Sequence, residues 1–162
     1  MLSKKMIERL TYQLNREIWS GYFYLGMSYY AESIGLKGFA NWFRYQWKEE
    51  LFHAEKFAQY LNQKRVRVVL DTIERPPQDF TNAKELFDKT LEHEKKVTRL
   101  INDLVNLAKN ENDKDTENFL QWFVKEQVEE EAAPSKIIKE ILEKGNNEKG
   151  LAETDVVLAK RK

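Results

Sequence analysis

Acidic and amide side chains occupy positions where helical periodicity otherwise places apolar residues. In four segments of the chain, apolar residues recur every three or four positions, which is the pattern of one buried helix face. Near its middle, each face contains residues able to bind a cation or a proton: Glu17; Glu50 and His53; Glu94; Gln127 and Glu130. The four segments therefore direct ionisable groups toward the interior that their apolar side chains form.

The positions of the turns place these groups at one height. Glu17 precedes a turn centred near Gly35 by as many residues as His53 follows it. Glu94 and Glu130 are likewise equally distant from the second, polar turn. In an antiparallel helix pair, equal distances from the turn mean equal heights. The sequence therefore predicts one polar layer between the helices.

The chain also contains an internal repeat that relates its two halves. At one constant offset, the polar groups correspond as Glu17 with Glu94, Glu49 with Glu126, Glu50 with Gln127, and His53 with Glu130. Each half contributes one single glutamate and one pair three residues apart, the inward-facing pattern of di-metal carboxylate bundles. In the second half, Glu-x-x-His is altered to Gln-x-x-Glu.

Carboxylates buried together must be protonated, paired with cations or bound to metal, because an unpaired buried charge is costly and like charges repel. The inward faces offer no Lys or Arg at this layer. Oxygen ligands with one imidazole suit iron or manganese. Two metals about 3.5–4 Å apart, bridged by Glu50, would neutralise the cluster. Such a site favours the oxidation of two Fe(II) by O₂.

Each residue also has an ordinary structural interpretation. A single glutamate on a helix face is commonly solvated or ion-paired, so only the whole set favours metal. Tyr24 is either a redox tyrosine or a packing aromatic, and packing is the favoured interpretation of Trp47 and Trp122. His93 lies off the polar face and is interpreted as a surface or interface residue.

The elements that position these groups are four long helices and a short fifth one. Capping residues, glycines and prolines delimit the predicted segments, which run from about 3 to 33, 38 to 63, 82 to 110, 114 to 144 and 151 to 160. The prediction is an all-α single domain over 1–162, a four-helix bundle of two antiparallel hairpins over about 3–144 with a short C-terminal helix. Pro134, inside the fourth helix, is predicted to kink it.

The connection over 64–81 decides how the hairpins are joined. A helix of 26 residues is about 39 Å long, and 18 extended residues reach up to about 59 Å. The connection can therefore cross the whole bundle, which makes the second and third helices parallel. Its alternating Val residues and two prolines predict an ordered strap.

Composition excludes several functional classes. The chain has 162 residues, 27 basic and 27 acidic side chains, two His and no Cys. Without cysteine there are no disulfides, thiolate zinc sites, iron–sulfur clusters or covalently attached haem. The balanced charge predicts no nucleic-acid partner. The longest uncharged stretch, 18–31, is too short for a membrane span, and no signal peptide precedes it. The expected location is cytoplasmic, with no membrane partner.

These motifs resemble those of the prokaryotic non-haem ferritins over essentially the whole chain. The resemblance rests on Glu17, Glu50-x-x-His53, Glu94 and Gln127-x-x-Glu130, and on the runs 15–18, 35–39 and 122–131. It implies a ferritin-like subunit that oxidises Fe(II) with O₂ or H₂O₂ and stores Fe(III) mineral. Such subunits normally form a homo-oligomeric cage of twenty-four copies.

The resemblance also implies roles for particular residues. It implies a first iron held by Glu17, Glu50 and His53, and a second held by Glu50, Glu94 and Glu130, with Gln127 beside it and Tyr24 next to the centre. A third iron site is implied nearby, at Glu49, Glu126 and Glu129, although the run 129–131 has an alternative interpretation as a solvated acidic face.

The sequence is also compatible with two alternatives to iron storage. One is a di-iron oxidase or peroxidase that stores no mineral, and the other is a structural bundle with a buried ion network. No haem is expected, because haem-containing bacterioferritins use a methionine where this chain has Phe52 and a histidine where it has Glu130.

Overall fold

The computed structural model describes residues 1–162 and consists of five helices without a β-strand. They are α1 (Lys4–Ser33), α2 (Lys37–Gln63), α3 (Ala83–Asn110), α4 (Lys114–Lys144) and α5 (Glu148–Leu158). This confirms the predicted all-α fold with a short C-terminal helix. The last helix starts earlier than expected, because the Asn147 side chain accepts a hydrogen bond from the Gly150 amide and caps it there.

Side-chain caps set the starts of three long helices. Ser3 accepts a hydrogen bond from the Met6 amide, and Asn82 accepts one from the Glu85 amide. Asp113 caps α4 through the Thr116 amide. Each cap satisfies an amide that has no partner within the first turn, which is why the predicted starts lie close to the observed ones.

Hydrogen bonds between α1 and the segment around α3 define the topology. Ser3, before α1, donates to Glu111, just after α3, whereas Tyr30 near the end of α1 donates to the Phe80 carbonyl before α3. The two helices are therefore antiparallel. Because α1 is also antiparallel to α2 within the first hairpin, α2 and α3 are parallel, as the length of the connection predicted.

The crossover is attached to the side of α1. The Asn15 side chain accepts a hydrogen bond from the Asp71 amide at 2.8 Å and donates one to the Val69 carbonyl at 3.1 Å. One amide thus satisfies two backbone groups of a segment without regular structure, consistent with an ordered strap.

Two apolar clusters fill the bundle on either side of its middle. One cluster includes Leu10, Phe57 and Leu104, and the other includes Met27 and Phe43. The numbering along α1 and α2 shows that the polar layer lies between these clusters. Apolar packing above and below thus fixes the helices that carry the ionisable groups.

The C-terminal part of the chain docks onto the start of α2. The Asp155 side chain accepts a hydrogen bond from the Phe39 amide at 2.9 Å, which supplies the α2 cap that the apolar side chain of Leu36 cannot provide.

The fourth helix, α4, continues through the buried Pro134 as one uninterrupted helix. None of the five helices has the length and apolar character needed to cross a membrane.

Candidate metal centre

The six residues predicted to form a polar layer meet inside the bundle. All are buried, with exposed fractions between 1% and 5%: Glu17, Glu50, His53, Glu94, Gln127 and Glu130. They come from all four long helices, as the matched distances from the turns predicted.

A glycine on α1 permits the close helix contact at this height. A side chain at Gly21 would place its Cβ 3.3 Å from Glu50 Cβ and 3.3 Å from the Trp47 carbonyl oxygen. The absence of a side chain at Gly21 therefore lets α2 bring Glu50 close to α1. Glu17 lies one helical turn before Gly21, so the two carboxylates meet at this crossing.

His53 is surrounded by four carboxylates. Its Nδ1 lies 3.8 Å from Glu17 Oε2 and 3.5 Å from Glu50 Oε2, and its Nε2 lies 3.7 Å from Glu126 Oε1 and 3.8 Å from Glu130 Oε1. These separations exceed those of good hydrogen bonds. They suit ligand atoms arranged around shared cations.

Three sets of side chains have ligand atoms within 4.8 Å of one another. The sets are Glu17, Glu50 and His53; Glu50, Glu94 and Glu130; and His53, Glu126 and Glu130. The first two coincide with the two ligand groups implied by the sequence resemblance, and they share Glu50. Oxygen and imidazole ligands of this kind fit iron.

Glu50 has the feature that most directly indicates a cation. Its Oε1 is buried and has no hydrogen-bond partner. A buried carboxylate oxygen without a partner is rare and energetically unfavourable. A cation bridging the two ligand groups would satisfy it.

Three glutamine side chains donate hydrogen bonds to carboxylates of the cluster. Gln13 donates to Glu17 Oε1 at 2.7 Å, and Gln46 donates to Glu130 Oε2 at 2.5 Å. Gln127 donates to Glu94 Oε2 at 3.2 Å. The sequence motifs predict no role for Gln13 or Gln46. The available signal was their spacing, four residues before Glu17 and Glu50.

Burial makes the carboxyl groups weak acids. Loss of solvation raises the pKa of Glu50 well above its ordinary value, and the charges of Glu94 and Glu17 raise it further. The same cause raises the pKa of Glu130 well above the usual range and that of Glu94 to about 7. Without cations the cluster therefore retains protons, and metal binding must displace them.

Tyr24 lies next to the predicted centre. The side chain is fully buried, and its hydroxyl donates a hydrogen bond to Glu94 Oε1. Burial, together with the charge of Glu94, raises its pKa well above 10. It also stacks on Phe43 with ring centroids 6.2 Å apart, so it both packs in the core and contacts a ligand. The Trp122 and His53 rings meet edge to face, with their centroids 5.5 Å apart.

The implied third site is only partly assembled. Glu126 lies beside His53, whereas Glu49 is paired with Arg161 at 2.7 Å and Glu129 is exposed. The structure thus brings one of these three residues to the buried cluster. The sequence motifs do not predict that Arg161 pairs with Glu49.

His93 packs against residues of α1. It is half-buried, its Nε2 lies 2.7 Å from Ser20 Oγ, and its ring contacts the rings of Trp19 and Tyr24. Burial, together with nearby Arg16, lowers its pKa to about 3. It is therefore neutral at neutral pH and outside the three carboxylate sets.

Comparison with known proteins identifies the family. A family model described as a ferritin-like domain matches residues 7–143. The chain belongs to the ferritin family. Among its ferritin relatives, a bacterial non-heme ferritin of Bacteroides fragilis is 38% identical, covering 90% of this chain and 92% of that protein. One of Staphylococcus epidermidis is 39% identical, covering 82% of this chain and 80% of that protein.

Solved ferritin structures agree over the entire chain. The open pore ferritin of the archaeon Archaeoglobus fulgidus is 44% identical, with a TM-score of 0.98 over 100% of both chains. The ferritin fold therefore includes α5 and the C-terminal residues of this chain as well as the four-helix bundle.

Proposed function

We propose that the chain is an iron-storage ferritin subunit with ferroxidase activity. It oxidises Fe(II) with O₂ or H₂O₂ at a di-iron centre inside each subunit and stores Fe(III) as mineral in a cage of twenty-four copies in the cytoplasm. The observation that carries this proposal is the pair of ligand groups that share Glu50, whose Oε1 is buried without a partner. Membership of the ferritin family supports the identification of the metal as iron.

The proposed reaction balances with two Fe(II), one molecule of oxidant and two protons from the carboxyl groups or from water. Two Fe(II) ions each lose one electron, and O₂ takes both electrons with two protons to give H₂O₂. If H₂O₂ is the oxidant, two electrons and two protons convert it to two waters. The carboxyl groups of Glu50, Glu94 and Glu130 retain protons in the metal-free protein and release them on binding iron.

Residues of the chain hold the ligands in place for this chemistry. Glu17 is held by Gln13, and Glu94 by Tyr24 and Gln127. Hydrogen bonds donated to the ligand carboxylates restrict the orientation of these groups and tune their basicity. We assign Tyr24 and Gln127 to the catalytic centre on this basis.

We also propose a third iron site, at Glu49, Glu126 and Glu129. Its support is the proximity of Glu126 to His53 and the sequence resemblance. We propose no haem, because Phe52 and Glu130 stand where haem-containing relatives need other residues.

Cage assembly is supported by the similarity to the archaeal ferritin and by the surface of the subunit. Large apolar side chains are exposed on α1 and the crossover, including Tyr29 at 61%, Leu70 at 68% and Ile73 at 47%. These side chains are free in the single subunit and are available for contacts between subunits in a cage. Native mass measured by light scattering tests the cage; a particle of one or two subunits would favour the non-storage oxidase.

Aerobic Fe(II) oxidation, followed by Fe(III) absorbance, tests the activity. Glu50→Ala and His53→Ala should reduce the initial rate to the buffer background, because each removes a shared or central ligand. Glu55→Ala, at an exposed position on the same helix, is the matched control and should retain the wild-type rate. A wild-type rate at the buffer background would favour a structural bundle, and wild-type rates in Glu50→Ala and His53→Ala would show that iron is not oxidised at this centre. Anomalous scattering from iron-soaked crystals would identify the metal.

A further inference from the structure

The side chain of Arg161, beyond α5, reaches back to α2 and is fixed there by several contacts. Its guanidinium lies 4.4 Å from the centre of the Trp42 ring and donates to the Trp42 carbonyl at 3.0 Å. The Asn41 side chain donates to the Arg161 carbonyl at 3.0 Å. A planar guanidinium stacked and hydrogen-bonded in this way has a defined orientation.

The same guanidinium is one hydrogen-bonded residue away from the metal centre. Both of its terminal nitrogens donate to Gln46 Oε1 at 3.1 Å. Because arginine can only donate, these bonds assign the oxygen of the Gln46 amide to Arg161 and its nitrogen to the opposite side. That nitrogen donates to Glu130 Oε2 at 2.5 Å. Arg161 thus determines which group Gln46 presents to Glu130.

A second contact of Arg161 involves a carboxylate outside the two-metal groups. Its Nη2 donates to Glu49 Oε2 at 2.7 Å. The pair is partly accessible, with exposed side-chain fractions of 21% for Arg161 and 46% for Glu49. The positive charge of Arg161 therefore competes with any cation that Glu49 would bind.

We propose that Arg161 is a positioning residue that connects the C-terminal segment to the metal centre. Through Gln46 it orients Glu130, and by pairing with Glu49 it weakens cation binding at the position next to the two-metal site. The inference rests on the proposed function for the identity of the physiological metal. The inference has two arms: the Glu49 arm is the ion pair of Arg161 with Glu49, and the Gln46 arm is the pair of hydrogen bonds that links Arg161 through Gln46 to Glu130. Different mutations test each arm.

The Glu49 arm predicts a change in metal binding. Arg161→Gln removes the competing charge, so an additional divalent ion should bind at Glu49 about three- to tenfold more tightly than in wild type. Lys160→Gln is the matched control, because it removes the same charge from an exposed neighbour. Arg161→Lys keeps a charge near Glu49 and should therefore suppress the extra ion, unlike Arg161→Gln.

The Gln46 arm predicts a change at the two-metal site itself. Gln46→Ala leaves the Arg161–Glu49 pair in place but removes the donor to Glu130. It should alter the coordination spectrum of the bound metal and lower the turnover number for Fe(II) oxidation several-fold, without adding an ion. Arg161→Lys should share this spectral change, because lysine lacks the fork that orients Gln46.

Anaerobic titration of the full chain with Co(II) tests both arms. The number of ions per subunit and the Co(II) absorption spectrum are recorded for wild type, the three single variants at Arg161 and Lys160, Gln46→Ala, and the double variant Arg161→Gln/Glu49→Gln. Support requires tighter additional binding in Arg161→Gln that the double variant abolishes, together with the spectral change in Gln46→Ala. Native mass and circular dichroism confirm that each variant is assembled and folded.

The outcomes separate this inference from the proposed function. If wild type binds two Co(II) per subunit and Arg161→Gln gives the same isotherm and spectrum, the role of Arg161 is wrong while the metal centre stands. If Lys160→Gln changes binding as much as Arg161→Gln, the effect is general electrostatics and the inference is also wrong. If wild type binds no Co(II), both proposals fail.

Discussion

The Tyr24 hydroxyl on α1 donates a hydrogen bond to Glu94 Oε1 on α3, and both side chains are buried. Burial raises the pKa of Glu94 to about 7, whereas this hydrogen bond and the one from Gln127 act in the opposite direction. The tyrosine therefore makes a candidate iron ligand easier to ionise. This relationship connects α1 to the ligand on α3 at the level of the metal centre.

The first prediction is that Tyr24→Phe shifts metal binding to higher pH. Without the hydroxyl, the Glu94 pKa rises further, and a metal must displace a more tightly held proton. A lost hydrogen bond to a charged group corresponds to about one to two pH units. The pH midpoint of Zn(II) binding, measured by calorimetry, should rise by this amount. Tyr30→Phe, which removes a hydroxyl bonded to the Phe80 carbonyl, should leave the midpoint unchanged. Superimposable pH profiles for Tyr24→Phe and wild type would contradict the prediction.

The second prediction concerns the stability of the metal-free protein. The folded-state pKa of Glu94, about 7, lies above its ordinary value of 4.5. The stability associated with its protonated form is therefore present below about pH 4.5 and lost as the pH rises through about 7. Glu94→Gln keeps a neutral side chain at all pH values and should stabilise the metal-free protein by about 1–3 kcal/mol at pH 7.5.

Chemical denaturation with a chelator present, at pH 5 and pH 7.5, measures this effect. The advantage of Glu94→Gln should be large at pH 7.5 and small at pH 5, and stabilisation by added Zn(II) should be weaker than in wild type. Glu92→Gln, at an exposed position on the same helix, should not show the gain at pH 7.5. A destabilised Glu94→Gln at pH 7.5 would mean that the carboxylate is favourably solvated without metal.

Periodicity and capping were sufficient to predict the fold and the height of the polar layer. Ser3 and Asn82 are local signals, because a cap satisfies amides only a few residues away. The heights of Glu17 and His53 also follow from local information, since helix rise is constant and the turn between them is short. The fifth helix starts three residues before the predicted position, because the Asn147 side chain caps it.

The role of Arg161 was not predictable in the same way. Its partners Gln46 and Glu49 lie more than a hundred residues earlier, and no periodic pattern connects a residue after α5 with α2. The contacts of His93 could not be predicted for a related reason. It lies beside the polar face on α3, but the crossing with α1 places it against Ser20 and Trp19, a contact that depends on the packing of two helices.

The third prediction is that Gly38→Ala disrupts the docking of α5. An added Cβ at Gly38 would lie 1.8 Å from the Asp155 carbonyl oxygen, which is backbone and has little freedom to move. The substitution must displace α5 and with it the cap that Asp155 provides to the Phe39 amide. Loss of such a cap alone costs about 1 kcal/mol, and the steric conflict adds to it.

Limited proteolysis and thermal unfolding test this prediction. Gly38→Ala should be cleaved faster between α4 and α5 and should unfold at a lower temperature than wild type. Gly26→Ala is the matched control, because an added Cβ there lies no closer than 4.0 Å to any neighbour. It should be neutral or stabilising by about 0.5–1 kcal/mol, as expected for Gly→Ala inside a helix. Equal cleavage rates for the two variants would show that α5 tolerates the added methyl group.

The fourth prediction is that Gln127→Glu slows the movement of iron out of the centre. Gln127 donates to Glu94 Oε2 and to Thr98 Oγ1, at 3.2 and 3.1 Å. With iron bound, a glutamate at this position is ionised, so it cannot donate and adds a negative charge beside Glu94, where the internal repeat has Glu50 in the other half. More charge binds oxidised iron more tightly, so release into the mineral should be several-fold slower.

The recovery time of the centre measures this release, as the interval after which a second addition of Fe(II) is again oxidised at the initial rate. In Gln127→Glu this interval should lengthen, while the first addition is still oxidised. Without metal, the new carboxyl must either keep a proton or lie as a second charge beside Glu94, so above about pH 7 the chelated variant should also unfold at a lower temperature than wild type. Gln121→Glu introduces the same charge at an exposed position on α4 and should change neither quantity. A recovery time equal to that of wild type would show that the amide at position 127 does not set how strongly the centre retains iron.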